Sequence, residues 1–295
     1  MNSIVIRRKA PSKLNLRLKV TARRNDGYHE LDTVFMPLSS PGDELIINIE
    51  RNTKPDISMD ISGAADLSAG TGNICWQAAR AYLNTAEIND TSIHIHLDKH
   101  IPIAAGLGGG SSNAATVLIA LEEHFNALGA DKLAQTALKI GADVPFFLSA
   151  RPAAARPAAA RGVGEELEYF DFDASALPVL VVAPDFPVSA RWAYEHLDCK
   201  HIAAAPGTDE MIAALKSSDW EKCAALMHND LAFALYDKFP LLNILKSTLL
   251  EAGALNAEIS GSGPSMFALF TDKESCLRAE DFISKEFSGT LRIFR

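Results

Sequence analysis

The chain has 295 residues, of which 48% are hydrophobic and 22% charged, and its formal net charge is −9. Such a composition builds an ordinary globular interior, as one large domain or two of about 150 residues. The acidic balance argues against a nucleic-acid-binding surface but leaves room for an anionic small molecule held by local cations and backbone amides.

Residues 1–20 read as two short extended segments around Ala10–Pro11, and DELIINIE (43–50) as a strand. Asn73 is positioned to cap a helix expected over 73–86. In TSIHIHLDKHIP, Ile93, Ile95 and Leu97 alternate with His94 and His96, the period of a half-buried strand. The stretch PIAAGLGGGSSNAA (102–115) follows. After it Ala114, Val117, Leu118, Leu121, Phe125 and Leu128 form one helical stripe, with Gly129 where the helix should end. A further helix over 131–140 leads into GADVPFFL.

Residues 150–159 read ARPAA twice. Alanine and proline have little to pack, so a surface connector is expected there, with the domain boundary placed to give 1–160 and 161–295. Beyond it GEELEYFDF and LPVLVVAP are strand-like. Residues 208–250 read as helical with breaks near Asn229 and Pro240, and AEISGSGPSMFALF as strand, glycine turn, strand. A helix over 273–287 and a strand over 291–294 close the chain. Strands and helices are mixed throughout, so the class is α/β or α+β.

Several short stretches carry chemistry. In the glycine-rich one, the order strand, loop, helix lets backbone amides converge on an anion, and the helix start adds its positive end. It lacks the G-K-[ST] of a Walker loop, and the dinucleotide pattern G-x-G-x-x-G fails at Ser111. Asp143, in a turn before an apolar run, is either a base aimed into a cleft or a turn aspartate satisfying local amides. Lys13 either neutralises charge near a transferring phosphate or snorkels at the surface. Asn25-Asp26-Gly27 is a turn that displays Tyr28 and His29, a ring and an imidazole suited to a nucleobase, or simply a hairpin corner. Gly261 and Gly263 flank Ser262 in a turn that lines a ligand cleft or merely joins two strands. His94, His96 and His100 offer no evident fourth ligand, and hydrogen-bonded histidines are the expectation.

Cys75, Cys199, Cys223 and Cys276 show no C-x-x-C spacing, which speaks against zinc and disulfide frameworks and suits the cytoplasm. The N-terminus lacks a signal-peptide core, and no apolar run approaches the roughly 18 residues of a membrane span. No membrane or nucleic-acid partner is expected, and the chain is read as a monomer or homodimer.

Five segments together, PSKLNLRLKVTARRNDGYHELDTVF, PIAAGLGGGSSNAATVL, GADVPFFL, GVGEE and SGSGPSMFAL, resemble the GHMP kinase superfamily in order and spacing. Within it, the pair P-x-K-L-N-L and R-x-D-G-Y-H is similar to the branch whose alcohol substrate carries a cytidylyl group. The resemblance implies an α+β fold of two domains, the first like domain 2 of ribosomal protein S5 and the second ferredoxin-like. It implies ATP as phosphoryl donor with Mg2+, transfer to the 2-hydroxyl of an erythritol unit, and a place in the non-mevalonate route to isoprenoid precursors. It assigns Asp143 as catalytic base with Lys13 as its partner. Pro102, Gly106, Leu107, Gly108, Gly109, Gly110, Ser111 and Ser112 fall to ATP. Asn15 falls beside the reacting hydroxyl, Tyr28 and His29 at the cytidine, and Phe186 of PDFPVS near the cytosine. No metal ligand is assigned.

The chain departs from the pattern at Ala104-Ala105, where a glycine-richer lead is usual, and in the extra ARPAA unit, which is expected to loop out. Two other readings are a kinase for another small alcohol, such as mevalonate or homoserine, against which NDGYHE argues, and a non-catalytic nucleotide-binding relative, against which Lys13 and Asp143 argue.

Overall fold

Two long strands organise the chain. In the computed structural model, which describes residues 3–149, 156–197, 207–287 and 289–295, Ile4–Arg23 forms one strand, β1, and His29–Arg51 a second, β2. Sequence patterning expects two pieces in the first and only residues 43–50 of the second. Pro11 and Pro41 interrupt the alternation without stopping the strands. The chain divides into two compact units, and β1 and β2 run through both. One unit takes the chain through Ser12, Pro41–Ile101 and the segment that starts at Gly108; the other takes Lys13–Ser40, Pro102–Leu107 and the segment that starts at Arg156. A single cut at residue 160 therefore does not follow the units, because Lys13–Ser40 and Pro102–Leu107 group with the C-terminal part.

The first unit is a sheet backed by helices. β3 (Ile57–Ser62) pairs in parallel with β4 (Thr91–Asp98), and β4 pairs antiparallel with the second half of β2, Ile47 opposite Ile95. The alternation read in the sequence holds: Ile93, Ile95 and Leu97 are buried, and His94 and His96 lie on the wetter face, both bonded to Asp60. Helix α1 (Ile74–Thr85) begins where expected, with the Asn73 side chain accepting from the Cys75 amide at 2.9 Å. It packs on α2 (Gly109–Phe125); Ala78 and Ala79 of α1 and Ala114, Ala115 and Leu118 of α2 are fully buried. Helix α2 stops earlier than its stripe suggests: Asn126 takes the left-handed conformation at φ 50°, and Gly129 opens α3 (Gly129–Ile140) instead of closing α2. Val144–Phe147 forms the one-turn helix α4.

In the second unit, β1 pairs in parallel with the two-residue β8 (His228–Asn229), and β5 (Ala158–Arg161) joins Thr33–Phe35 of β2 to β6 (Glu166–Tyr169). Ala158 and Ala159, the end of the second ARPAA copy, therefore lie in a strand and not in a surface connector. Ala158, Ala159 and Ala160 are buried in a ladder, where their small side chains fit; residues 150–155, the rest of the repeat, lie outside the described residues. A four-stranded antiparallel sheet of order β11-β7-β10-β9 completes the unit: β7 is Val179–Pro184, β9 Asn256–Ile259, β10 Met266–Leu269 and β11 Leu291–Phe294. Its helices are α5 (Ala190–Glu195), α6 (Thr208–Lys216), α7 (Trp220–Leu226), α8 (Ala232–Lys238), α9 (Pro240–Glu251) and α10 (Lys273–Glu286). The expected breaks fall at β8 and at Phe239–Pro240. Leu180, Val182, Ile259, Met266, Leu245, Leu249 and Ile283 close a core into which β1 and β2 send Leu18, Val20 and Leu31.

Candidate active site

Within the second unit three stretches distant in sequence meet around Lys13. Its side chain is 4% exposed, its Nζ donates to Asn15 Oδ1 at 2.5 Å, and it lies 5.1 Å from the centre of the Phe35 ring. Asn15 Nδ2 donates to Thr33 Oγ1 at 2.9 Å, and the Asn15 amide to Ser260 Oγ at 3.3 Å. Ser260 Oγ donates in turn to the Gly106 carbonyl at 3.0 Å, and the Lys13 amide donates to the Leu107 carbonyl at 2.9 Å. The turn Gly261–Gly263 thus does more than join β9 to β10. A side chain at Gly261 would sit 3.1 Å from Asn15 Oδ1 and 3.5 Å from Lys13 Nζ, so glycine there lets backbone approach the lysine. Gly106 is under the stronger constraint: at φ 78°, any Cβ would collide with the Ser260 carbonyl oxygen. The snorkelling alternative for Lys13 fails, since the side chain is buried with its ammonium against the Asn15 side-chain oxygen and an aromatic face.

Gly108 precedes α2 in the left-handed conformation, φ 70°, and has no side chain to cap it. The first-turn amides of a helix have no partner inside it, and here no capping side chain takes them. Ser111 is half-buried. Ser112 is fully buried, and its hydroxyl has no hydrogen-bond partner among the described residues. An orphaned buried hydroxyl beside uncapped amides at a positive helix end is a combination that favours an anion. Upstream, Pro102 is half-buried, and Ala104 turns at φ 50°, a conformation glycine would adopt more freely; its carbonyl accepts from the Val188 amide at 3.0 Å. Asp143 lies directly before α4, half-buried, and its side chain makes no cap to that helix.

The hairpin after β1 displays Tyr28, 61% exposed, and His29. The Asp26 side chain accepts the Tyr28 amide at 3.0 Å, the local bond that Asn25-Asp26-Gly27 promises. His29 stacks on Tyr194 of α5, with centroids 5.2 Å apart and planes at 22°. Burial and the nearby Arg23 hold its imidazole below the usual histidine range, so at neutral pH one ring nitrogen donates and the other accepts. Phe186 is placed differently: it stacks on Phe239 at 5.1 Å and packs on the hydrophobic core. Sequence reading missed Tyr194. The signal available was its position on a short helix that Ser189 caps.

Residues 73–151 match the family model of the GHMP kinases N terminal domain, and residues 211–289 that of the GHMP kinases C terminal. A 4-diphosphocytidyl-2-C-methyl-D-erythritol kinase of Geobacter sulfurreducens is 38% identical over 93% of each chain, and that of Pelodictyon phaeoclathratiforme 36% identical over 96% of this chain and 95% of its own. A crystal structure of a 4-(cytidine 5'-diphospho)-2C-methyl-D-erythritol kinase superposes with a TM-score of 0.78 at 32% identity, covering 98% of both chains. A homoserine kinase from Cytophaga hutchinsonii, 20% identical, shares the fold with a TM-score of 0.70, covering 98% of this chain and 92% of its own. The chain has the two-domain α+β GHMP kinase fold, and it belongs to the 4-diphosphocytidyl-2-C-methyl-D-erythritol kinase family.

Proposed function

We infer that the chain transfers the γ-phosphoryl group of ATP to the 2-hydroxyl of 4-diphosphocytidyl-2-C-methyl-D-erythritol, giving the 2-phosphate and ADP in the non-mevalonate (methylerythritol phosphate) pathway of isoprenoid precursor biosynthesis. The observation that carries this reading is the meeting of Lys13 and Asn15 with the two glycine turns at Gly106 and Gly261, in a chain related over 93% of its length to kinases of that name.

Phosphoryl transfer asks for position and charge neutralisation more than for covalent chemistry. The amides that open α2, with the hydroxyls of Ser111 and Ser112, hold the nucleotide phosphates, and Pro102, Gly106 and Leu107 shape the approach. Asp143 takes the proton as the hydroxyl oxygen forms its bond to the γ-phosphorus and the bond to the β-phosphate oxygen breaks. Lys13 offsets the negative charge that spreads over the transferring group, and Asn15 orients the alcohol. His29 meets the cytosine edge with one donor and one acceptor, while Tyr28 and Tyr194 supply ring faces. The stack on His29 favours Tyr194 over Phe186 for that role.

Mg2+ fits this scheme as a neutraliser of phosphate charge. The Ser112 hydroxyl, buried and without a hydrogen-bond partner among the described residues, would be a protein ligand for it, with phosphate oxygens supplying others. Among the described residues no helix is long and apolar enough to cross a membrane. The four cysteines without C-x-x-C spacing support a cytoplasmic reaction.

Asp143→Asn tests the base. The variant is expected to bind ADP with wild-type affinity by titration calorimetry and to lose ~10²–10⁴-fold in kcat, the range for a general base. Turnover within a few-fold of wild type removes Asp143 from the mechanism.

A further inference from the structure

One buried ion pair lies outside this machinery and next to it. Asp43 of β2 is fully buried. Its Oδ1 accepts from the amides of His100 and Ile101, each at 2.7 Å, and its Oδ2 from Lys99 Nζ at 2.6 Å. Lys99 Nζ donates also to the Ile101 carbonyl at 2.7 Å. One carboxylate therefore fastens three consecutive residues, 99 to 101, immediately before the glycine-rich loop. The main chain of Lys99 is fastened as well: its amide donates to the Ser62 carbonyl at 2.9 Å, and Gly63, at φ 78°, presses so closely on the Lys99 carbonyl that a side chain there would collide with it.

The start of α2 rests on this node. A Cβ at Gly109 would lie 2.8 Å from Ile101 Cγ2 and 3.0 Å from Lys99 Nζ, so the first turn of α2 sits directly on the fastened residues. An ammonium held against the positive end of a helix repels it, and an anion bound by the first-turn amides relieves that repulsion. Asp43 balances the ammonium without occupying the helix end, because its two oxygens are taken by residues 99 to 101.

We propose that Asp43 and Lys99 are positioning residues for the nucleotide: their buried pair fixes the chain entering the glycine loop and holds a positive charge under the first turn of α2, setting nucleotide affinity and leaving the chemical step alone. This rests on reading the loop as the nucleotide site. Removing one partner alone leaves a lone buried charge and invites unfolding, whereas replacing both by apolar groups leaves none. The test is therefore the double variant Asp43→Leu/Lys99→Met in the full chain, with ADP titrated by calorimetry and ATP and alcohol kinetics measured alongside.

The expected result is an ADP affinity and a KM for ATP each weakened at least tenfold, with kcat and the alcohol KM within twofold of wild type. A folded double variant with wild-type ADP affinity overturns the proposal, and so does one that loses kcat while keeping that affinity. If the double variant does not fold, Asp43→Asn/Lys99→Gln, which removes both charges and keeps a donor for the Ile101 carbonyl, is read by the same criteria. Wild-type protein that binds no ADP overturns the nucleotide reading itself, whereas wild-type binding with an indifferent variant overturns only the role of the pair.

Discussion

At the scale of single residues, the glycine-rich loop shows what a side chain can and cannot tolerate. Gly106 and Ala104 both take positive φ, 78° and 50°, yet they face different surroundings. Gly106 has the Ser260 carbonyl against it, so Gly106→Ala adds a collision with main chain to an unfavourable conformation. We expect a loss of at least ~3 kcal/mol in denaturant unfolding, as for other backbone-strain substitutions. Ala104 is exposed, and Ala104→Gly removes the strain of a left-handed alanine, worth about 1 kcal/mol before the entropy of the unfolded glycine is set against it. Its melting temperature should equal or exceed that of wild type; a clear drop contradicts this account of the turn. The need for glycine was legible in the sequence, but the reason for it was not. Ser260 stands 154 residues from Gly106 and 245 from Asn15, and no local pattern announces such a partner. The same limit hides the stack of Tyr194 on His29, which only the placement of α5 brings about.

At the scale of elements, periodic segments were legible and long or alanine-rich ones were not. β4 and α1 follow from alternation and from a cap. β5 does not, because alanine has little strand preference, and its state is set by pairing with Thr33–Phe35. The end of α2 is not legible, because Gly129 looks like a terminator, whereas the chain turns at Asn126 and then needs Gly129 to begin α3. Glu122 manages that junction: it accepts from the Tyr82 hydroxyl at 2.6 Å, the Leu128 amide at 3.1 Å and the Gly129 amide at 2.7 Å. Burial pushes its carboxyl up, but these bonds outweigh burial and hold it below the ordinary range. A carboxylate lowered in the folded state contributes stability that is complete above the unfolded value, about 4.3, and is lost as pH falls through the folded one. Glu122→Gln should therefore cost about 1 kcal/mol at pH 7, and the gap in melting temperature between variant and wild type should close below about pH 4. A gap that is constant with pH contradicts the ionic role.

At the scale of the whole molecule, two-domain kinase character was legible because five motifs recur in order, and the division of the chain was not. Family models cover 73–151 and 211–289, one on each side of the boundary expected at 160. The compact units nonetheless interleave, because β1 and β2 are long enough to serve both, and a strand that crosses a unit boundary shows no break in pattern. Which alcohol the molecule phosphorylates is not decided by a shared fold, since a homoserine kinase has it too. The direct measurement is ADP release by purified protein with ATP, Mg2+ and, in turn, 4-diphosphocytidyl-2-C-methyl-D-erythritol, mevalonate and homoserine. Release dependent on the cytidylyl alcohol alone is the predicted result. Release with mevalonate or homoserine, or none with any of the three, contradicts it.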